Sequence, residues 1–272
     1  MSKVFCIDVS KCSGCYNCQF ACKDEHCNNE WLPFAAKQPI TGQFWLKVQE
    51  KVQGKKPNVR IHYYPEICNH CERPACMAAA QNNAVYKRED GLVIIDPERS
   101  VGQKQIADAC PYGAVYWNEE LNIPQKCTGC VHLLAEGRPP RCVDVCHTGA
   151  IRFGEEGEFA DFIAGADVLK PDTGQGPKVY YRNFPGRFIA GTVYDPVDEV
   201  VIRNARCHLS QGPVVWDIYT DTFGDFWFRR LPEGIFDLSI DAKGFKPLYF
   251  KGLSTINDSL SLGDIPMERK QI

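Results

Sequence analysis

Cysteine placement constrains this chain more than any other feature. Fifteen cysteines occur in 272 residues, and fourteen of them precede residue 147. Such density belongs either to disulfide-stapled secreted domains or to metal-binding ones. Disulfide frameworks suit small secreted domains, whereas this length suits one or two ordinary domains. The opening residues Met1-Ser2-Lys3-Val4-Phe5-Cys6-Ile7-Asp8 turn polar too soon for a secretory signal and carry no twin arginine. Reduced thiolates that hold metal are therefore expected, in a cytoplasmic chain unless a partner's signal exports it. The net charge of −3 gives no reason to expect nucleic acid or an anionic membrane surface as partner. No apolar run approaches the roughly 20 residues of a spanning helix, so direct membrane insertion is not expected.

Spacing narrows the metal. Cys12, Cys15, Cys18 and Cys22 follow C-x2-C-x2-C-x3-C. Bacterial ferredoxins bind [4Fe–4S] clusters with that run: three thiolates on a tight loop take one cluster, and the fourth, about one helical turn on, takes the other. Zinc sites pair their cysteines two and two, which this run fits poorly. The second group, Cys68, Cys71 and Cys76, has no fourth member nearby. A lone Cys110 follows, inside Cys110-Pro111-Tyr112-Gly113-Ala114, and cysteine followed by proline is how a ferredoxin run ends. The third group is Cys127, Cys130, Cys142 and Cys146, its long gap bridged by a loop, Ala135-Glu136-Gly137-Arg138-Pro139-Pro140. Twelve cysteines thus form three sets of four. On the ferredoxin pattern of exchanged fourth ligands, Cys12, Cys15, Cys18 and Cys146 hold one cluster. Cys127, Cys130, Cys142 and Cys22 hold its neighbour, and Cys68, Cys71, Cys76 and Cys110 the third. The expected cofactors are three [4Fe–4S] clusters.

The stretches Cys68-Asn69-His70-Cys71-Glu72-Arg73-Pro74-Ala75-Cys76, Lys87-Arg88-Glu89-Asp90-Gly91 and Cys110 to Ala114 resemble the iron–sulfur subunits of the dimethyl sulfoxide reductase superfamily. That resemblance implies two ferredoxin-like modules with four clusters and a large catalytic partner that carries molybdopterin with molybdenum or tungsten. The chain departs from the pattern at four positions. The family would place cysteines at Ser100, Gln103 and Ile106, and would end its second run with one at Ala80. By the exchange rule all four belong to one cluster, so their joint loss removes that cluster and leaves the Cys68 set whole. Further stretches, among them Asn29-Glu30-Trp31, Asn83-Ala84-Val85-Tyr86 and Tyr116-Trp117-Asn118-Glu119-Glu120, resemble the small subunits of polyphenol transhydroxylases. That branch implies three clusters, an added C-terminal β-domain, and a complex that hydroxylates, dehydroxylates or transhydroxylates an aromatic polyphenol.

The fold class expected is α+β: ferredoxin-like modules over 1–183, then a β-sandwich over 184–272. Short alternating runs such as Leu92–Ile95 and Ala114–Trp117 suit the small strands beside ferredoxin helices. Residues 23–67 form an insert, a cap or partner-binding surface whose aromatics Trp31, Phe34, Phe44 and Trp45 read as core. A connector over about 155–183 carries a short helix near Phe159–Ala164. Beyond it, strands are expected at Arg187–Val193, Ala205–Ser210, Val214–Thr220, Phe226–Arg230 and Ile235–Asp241, with turn residues between. Their texture resembles carboxypeptidase-regulatory or transthyretin-like sandwiches, a domain of shape or subunit contact.

Cys6, Cys27 and Cys207 are left over and read as buried structural thiols. His70 and His147 lie beside cluster cysteines and read as neighbours, since every set already has four thiolates. Lys126 and Arg141 precede ligands; each is either a charge that raises a cluster's potential or a solvated side chain. No catalytic triad, phosphate loop or dinucleotide fingerprint occurs, so no catalytic residue is expected. The chain reads as a non-catalytic electron-transfer subunit. The rival classes are a free-standing polyferredoxin and a zinc-binding scaffold.

Overall fold

The computed structural model describes residues 2–270. They divide into two compact units. One runs to Glu50 and resumes at His62–Phe184; the other comprises Lys51–Ile61 and the chain from Pro185 onward.

The first unit contains β1 (Lys3–Asp8), α1 (Asn17–His26), the first half of β2 (Leu46–Lys55) and the larger part of β3 (Asn58–Ile67), α2 (Ala75–Ala78), β4 (Val85–Lys87), β5 (Val93–Ile95), α3 (Gln105–Asp108), β6 (Tyr116–Asn118), β7 (Ile123–Gln125), α4 (Val131–Ala135), α5 (Arg141–Asp144), β8 (Ile151–Glu155), α6 (Ala160–Ile163) and β9 (Val179–Arg182). β1 lies in the middle of a three-stranded sheet, antiparallel to β8 and parallel to β9. A central strand covered on both faces needs a continuous apolar run, and Val4, Phe5, Cys6 and Ile7 supply one, each almost wholly buried. β2 pairs with β3, β4 with β5, and β6 with β7. Short helices carry the cysteines: α1 packs against α5, and α2 against α3.

The second unit is a β-sandwich. β10 (Arg187–Asp195) pairs with β11 (Val200–Val201), β14 (Asp225–Leu231) and β17 (Leu260–Pro266). The other sheet runs β13 (Val214–Tyr219), β12 (Arg206–Gln211), β15 (Ile235–Asp241), β16 (Leu248–Ser254). Alternating residues of both sheets fill the core, among them Ile189, Val193, Leu209, Phe226, Phe236, Leu238 and Ile240.

The expected strands lie in this sandwich with ends moved by a residue or two; β11, β16 and β17 were not anticipated. The connector helix is shorter, Ala160–Ile163 after a 3-10 turn at Glu156–Phe159. Its last residues, read as linker, form β9, whose Tyr181 is fully buried and donates its hydroxyl to the Pro65 carbonyl at 3.0 Å. The insert is not a simple cap. Its ribbon tip, Lys51–Ile61, belongs to the second unit. There Gly54 lies so close to Phe188 that a Cβ would come within 2.5 Å of the ring, and Arg60 lies 4.4 Å over the Trp227 ring. Of the insert's aromatics, Trp45 is buried, while Trp31, Phe34 and Phe44 are partly so.

Candidate metal centres

Each cysteine loop is bent by residues in the left-handed region. Gly14 (φ 67°) and Tyr16 (φ 61°) close the Cys12–Cys18 loop; Gly129 (φ 67°) and Cys130 (φ 51°) do the same for Cys127–Cys130. At Gly14 a Cβ would meet the Tyr63 ring at 2.6 Å, and at Gly129 the Leu92 side chain at 2.9 Å, so both positions require glycine. The bends turn backbone N–H groups onto sulfur: Gly129 donates to Cys127 Sγ at 3.4 Å and Arg141 to Cys130 Sγ at 3.5 Å.

α1 separates the first two sets. Cys18 and Cys22 stand one turn apart on it. Cys18 has Cys12, Cys146 and Cys15 as electrostatic neighbours; Cys22 has Cys127, Cys130 and then Cys18. α5 mirrors this, with Cys142 beside Cys130, Cys22, Cys127 and then Cys18, and Cys146 beside Cys12 and Cys18. Cys68, Cys71, Cys76 and Cys110 line a separate small cavity with Pro74, Val93 and Tyr112. Cys12, Cys15 and Cys146 thus lie around Cys18, Cys127, Cys130 and Cys142 around Cys22, and Cys68, Cys71, Cys76 and Cys110 around one cavity.

Burial first, then mutual repulsion, pushes the Cys18 and Cys71 thiols up to about 12. Burial raises Cys22 and Cys142 well beyond the ordinary thiol range. Thiols so placed cannot ionise together without a cationic group among them. Among the described residues no three His, Cys, Asp or Glu converge on one ion. A single zinc, with Zn–S bonds of about 2.3 Å, would need its sulfurs within about 4 Å of one another. Orphaned polar atoms also adjoin the quartets: His70 Nε2 and both amide atoms of Asn69 are buried without partners. The donor set, its burial and these orphans fit [4Fe–4S] clusters.

The four substituted positions form packed protein. Ile106 is fully buried in an apolar cluster with Cys76, Val85, Val93, Ile95 and Val115, and Ala80 packs against it. The Gln103 amide crosses the same place, accepting from Gln81 N–H at 2.8 Å and donating to the carbonyls of Arg99 (2.7 Å) and Gln81 (3.3 Å). Ser100 is fully buried.

His147 is exposed. His70 is buried, its Nδ1 accepting from Val93 N–H at 3.1 Å, and burial followed by the charge of Lys126 holds its pKa well below the ordinary value. Lys126 is buried while Arg141 is partly exposed and paired with Asp144, so the two lysine and arginine readings separate. Cys6 and Cys207 are buried as expected; Cys27 is only half-buried.

Sequence reasoning passed over His26. It is buried, packs tilted against Trp45 at 4.6 Å between ring centroids, and brings Nε2 to 4.0 Å from Cys130 Sγ. Burial, then the neighbouring His132, lowers its pKa to about 3. His132 stacks on Trp31 and meets Glu25 at 3.0 Å. The available signal was His26's place one turn beyond Cys22 on α1.

Comparison with known proteins agrees with this geometry. A family described as "4Fe-4S dicluster domain" matches residues 59–156, and one described as "Carboxypeptidase regulatory-like domain" matches 189–267. A chain of the anaerobic dimethyl sulfoxide reductase of Escherichia coli is 39% identical over 150 residues, 55% of this protein and 72% of that one. The pyrogallol hydroxytransferase small subunit of Pelobacter acidigallici is 38% identical over 255 residues, 88% of this protein and 90% of that one. This protein belongs to the iron–sulfur subunits of dimethyl sulfoxide reductase family enzymes. A subunit of the tetrathionate reductase of Salmonella typhimurium, 34% identical over 191 residues, covers 67% of this protein and 73% of its own length. Membership makes the chain an electron-transfer subunit with [4Fe–4S] clusters, and sets aside the zinc scaffold. Each of these relatives is one subunit of a larger enzyme, which implies a catalytic partner chain.

Proposed function

We propose that this chain holds three [4Fe–4S] clusters and serves a large molybdopterin subunit, with molybdenum or tungsten, that acts on an aromatic polyphenol. The observation that carries the cluster count is the pairing of three complete thiol quartets with a fourth place filled by Ile106 and Gln103. The ligands are Cys12, Cys15, Cys18 and Cys146; Cys127, Cys130, Cys142 and Cys22; and Cys68, Cys71, Cys76 and Cys110. The polyphenol reading is supported by the reach of the pyrogallol hydroxytransferase likeness, which at 88% of the chain extends well into the sandwich.

A bound [4Fe–4S] cluster takes up and releases single electrons at a potential set by its surroundings. The protein supplies those surroundings. α1 and α5 keep the first two quartets one helical turn apart. Backbone N–H groups of Gly129 and Arg141 stabilise anionic sulfur. Trp45, Ile67 and Val93 keep water from the thiolates. The chemistry of the reaction is assigned to the molybdopterin partner.

The test is anaerobic purification of the native complex on a tag carried by this chain. The reading expects a larger chain with molybdenum or tungsten, and hydroxyl transfer or removal on trihydroxybenzenes. Iron-loaded chain that is stable alone and passes electrons to several unrelated enzymes would support the polyferredoxin reading instead.

A further inference from the structure

Lys126 is an unusual lysine. It is 3% exposed, and among the described residues no carboxylate pairs with it. Its Nζ donates to the Val93 carbonyl and to the Cys127 carbonyl at 3.0 Å. An ammonium has three donors, so one N–H is left without a protein acceptor. A buried charge with neither carboxylate nor full hydrogen bonding is strongly disfavoured unless another anion faces it.

The two acceptors say where that anion is. Val93 lines the cavity of the Cys68, Cys71, Cys76 and Cys110 quartet. Cys127 belongs to the adjoining quartet with Cys22, Cys130 and Cys142. Through those two carbonyls the Lys126 ammonium is held against the backbone of both sets at once. Neither of these hydrogen bonds reaches the loops that carry Cys12, Cys15, Cys18 and Cys146. The neighbouring His70 turns its Nδ1 to Val93 as an acceptor, taking the Val93 N–H at 3.1 Å.

We propose that Lys126 is a shared, fixed counter-charge set between two of the three clusters, raising the reduction potential of both while leaving the Cys12 cluster untouched. Four thiolates give each cluster a net negative charge, and reduction adds one more. A buried cation therefore stabilises the reduced state more than the oxidised one. Because one ammonium serves two clusters, it keeps their potentials in step, which suits neighbours that exchange electrons in either direction. This rests on the three-cluster reading above.

The experiment is a redox titration of the assembled complex followed by electron paramagnetic resonance, comparing wild type with K126Q and K126R. Wild-type iron and cluster count are measured first, so failure of the three-cluster reading shows before any variant is made. The expected result in K126Q is a negative shift of two of this chain's midpoint potentials and no shift of the third, with K126R close to wild type. No shift, a shift of one or of all three, or a positive shift would overturn the proposal. Should K126Q shed iron, K126R decides. Retained iron and potentials in K126R show that charge is what position 126 supplies. Iron loss in K126R as well shows that shape is, and the proposal fails.

Discussion

Ile106 offers the sharpest handle on the proposal that the chain carries one cluster fewer than the family pattern. It occupies a position where the family pattern has a ligand, it is fully buried, and it shares its apolar cluster with Cys76 of the Cys68 quartet. Ile106→Ala removes three carbons from a site hemmed by Val85, Val93, Ile95 and Val115. Strands β4 and β5 and helix α2 have little freedom to collapse into the gap. Such truncations cost about 2–5 kcal/mol, and Ile106→Val about 0.5–1.5 kcal/mol. If the loss falls on local opening of α2 and α3, the larger figure range multiplies the open population roughly thirtyfold to a few thousandfold. The assay is the rate at which visible cluster absorbance bleaches in the presence of an iron chelator, with residual iron counted at the plateau. I106A should bleach in two phases, a fast one that releases about four irons, from the Cys68 quartet alone, and a slow one at the wild-type rate. I106V should fall between. A single phase in which all clusters leave together, or an I106A rate equal to wild type, would refute the argument that this residue plugs one local site.

Further outcomes follow from other positions. Gly14→Ala puts a Cβ 2.6 Å from the Tyr63 ring in a backbone with φ of 67°, so it should lose the Cys12 cluster, seen as a drop of about four irons per chain. Cys6 and Cys207, each pushed up to about 12 by burial, should resist alkylation in the folded chain, while half-buried Cys27 reacts first; mass spectrometry after brief iodoacetamide treatment reads the order. In the sandwich, burial pushes the Asp195 carboxyl up, but hydrogen bonds from Arg269 and the Val197 N–H outweigh it and hold the pKa below the usual 3.8. A carboxylate held low stabilises the fold fully above that value, and the contribution drains as pH falls through the lower folded value. Asp195→Asn should therefore be less stable than wild type near neutrality, with the difference shrinking toward pH 3 in acid-unfolding curves of the full chain.

The ligand chemistry was legible because it depends on residue type and short spacing. Cys12 to Cys22 announce themselves in eleven residues, and α1 sets Cys18 and Cys22 one turn apart as that spacing requires. The joint substitution of Ala80, Ser100, Gln103 and Ile106 was legible against the family pattern. What fills those positions was not: the Gln103 amide reaches Arg99 and Gln81, contacts that only the folded loop creates. The sandwich strands stood out through alternation and turn residues. β9 did not, because four residues that pair with β1 from more than 170 positions away carry no local signal. The ribbon tip at Lys51–Ile61 was missed for the same reason, since its companions Phe188 and Trp227 lie far along the chain. His26 and His132 were passed over because each quartet was already complete, and their contact with Cys130, Glu25 and Trp31 is tertiary.

The most direct test of the central claim is the iron and sulfide content of this one chain, by native mass spectrometry of the anaerobically purified protein. Three quartets predict about twelve irons and as many sulfides. About sixteen would mean that the place filled by Ile106 and Gln103 holds a cluster after all, about eight would break one of the three quartets, and zinc without iron would contradict the account as a whole.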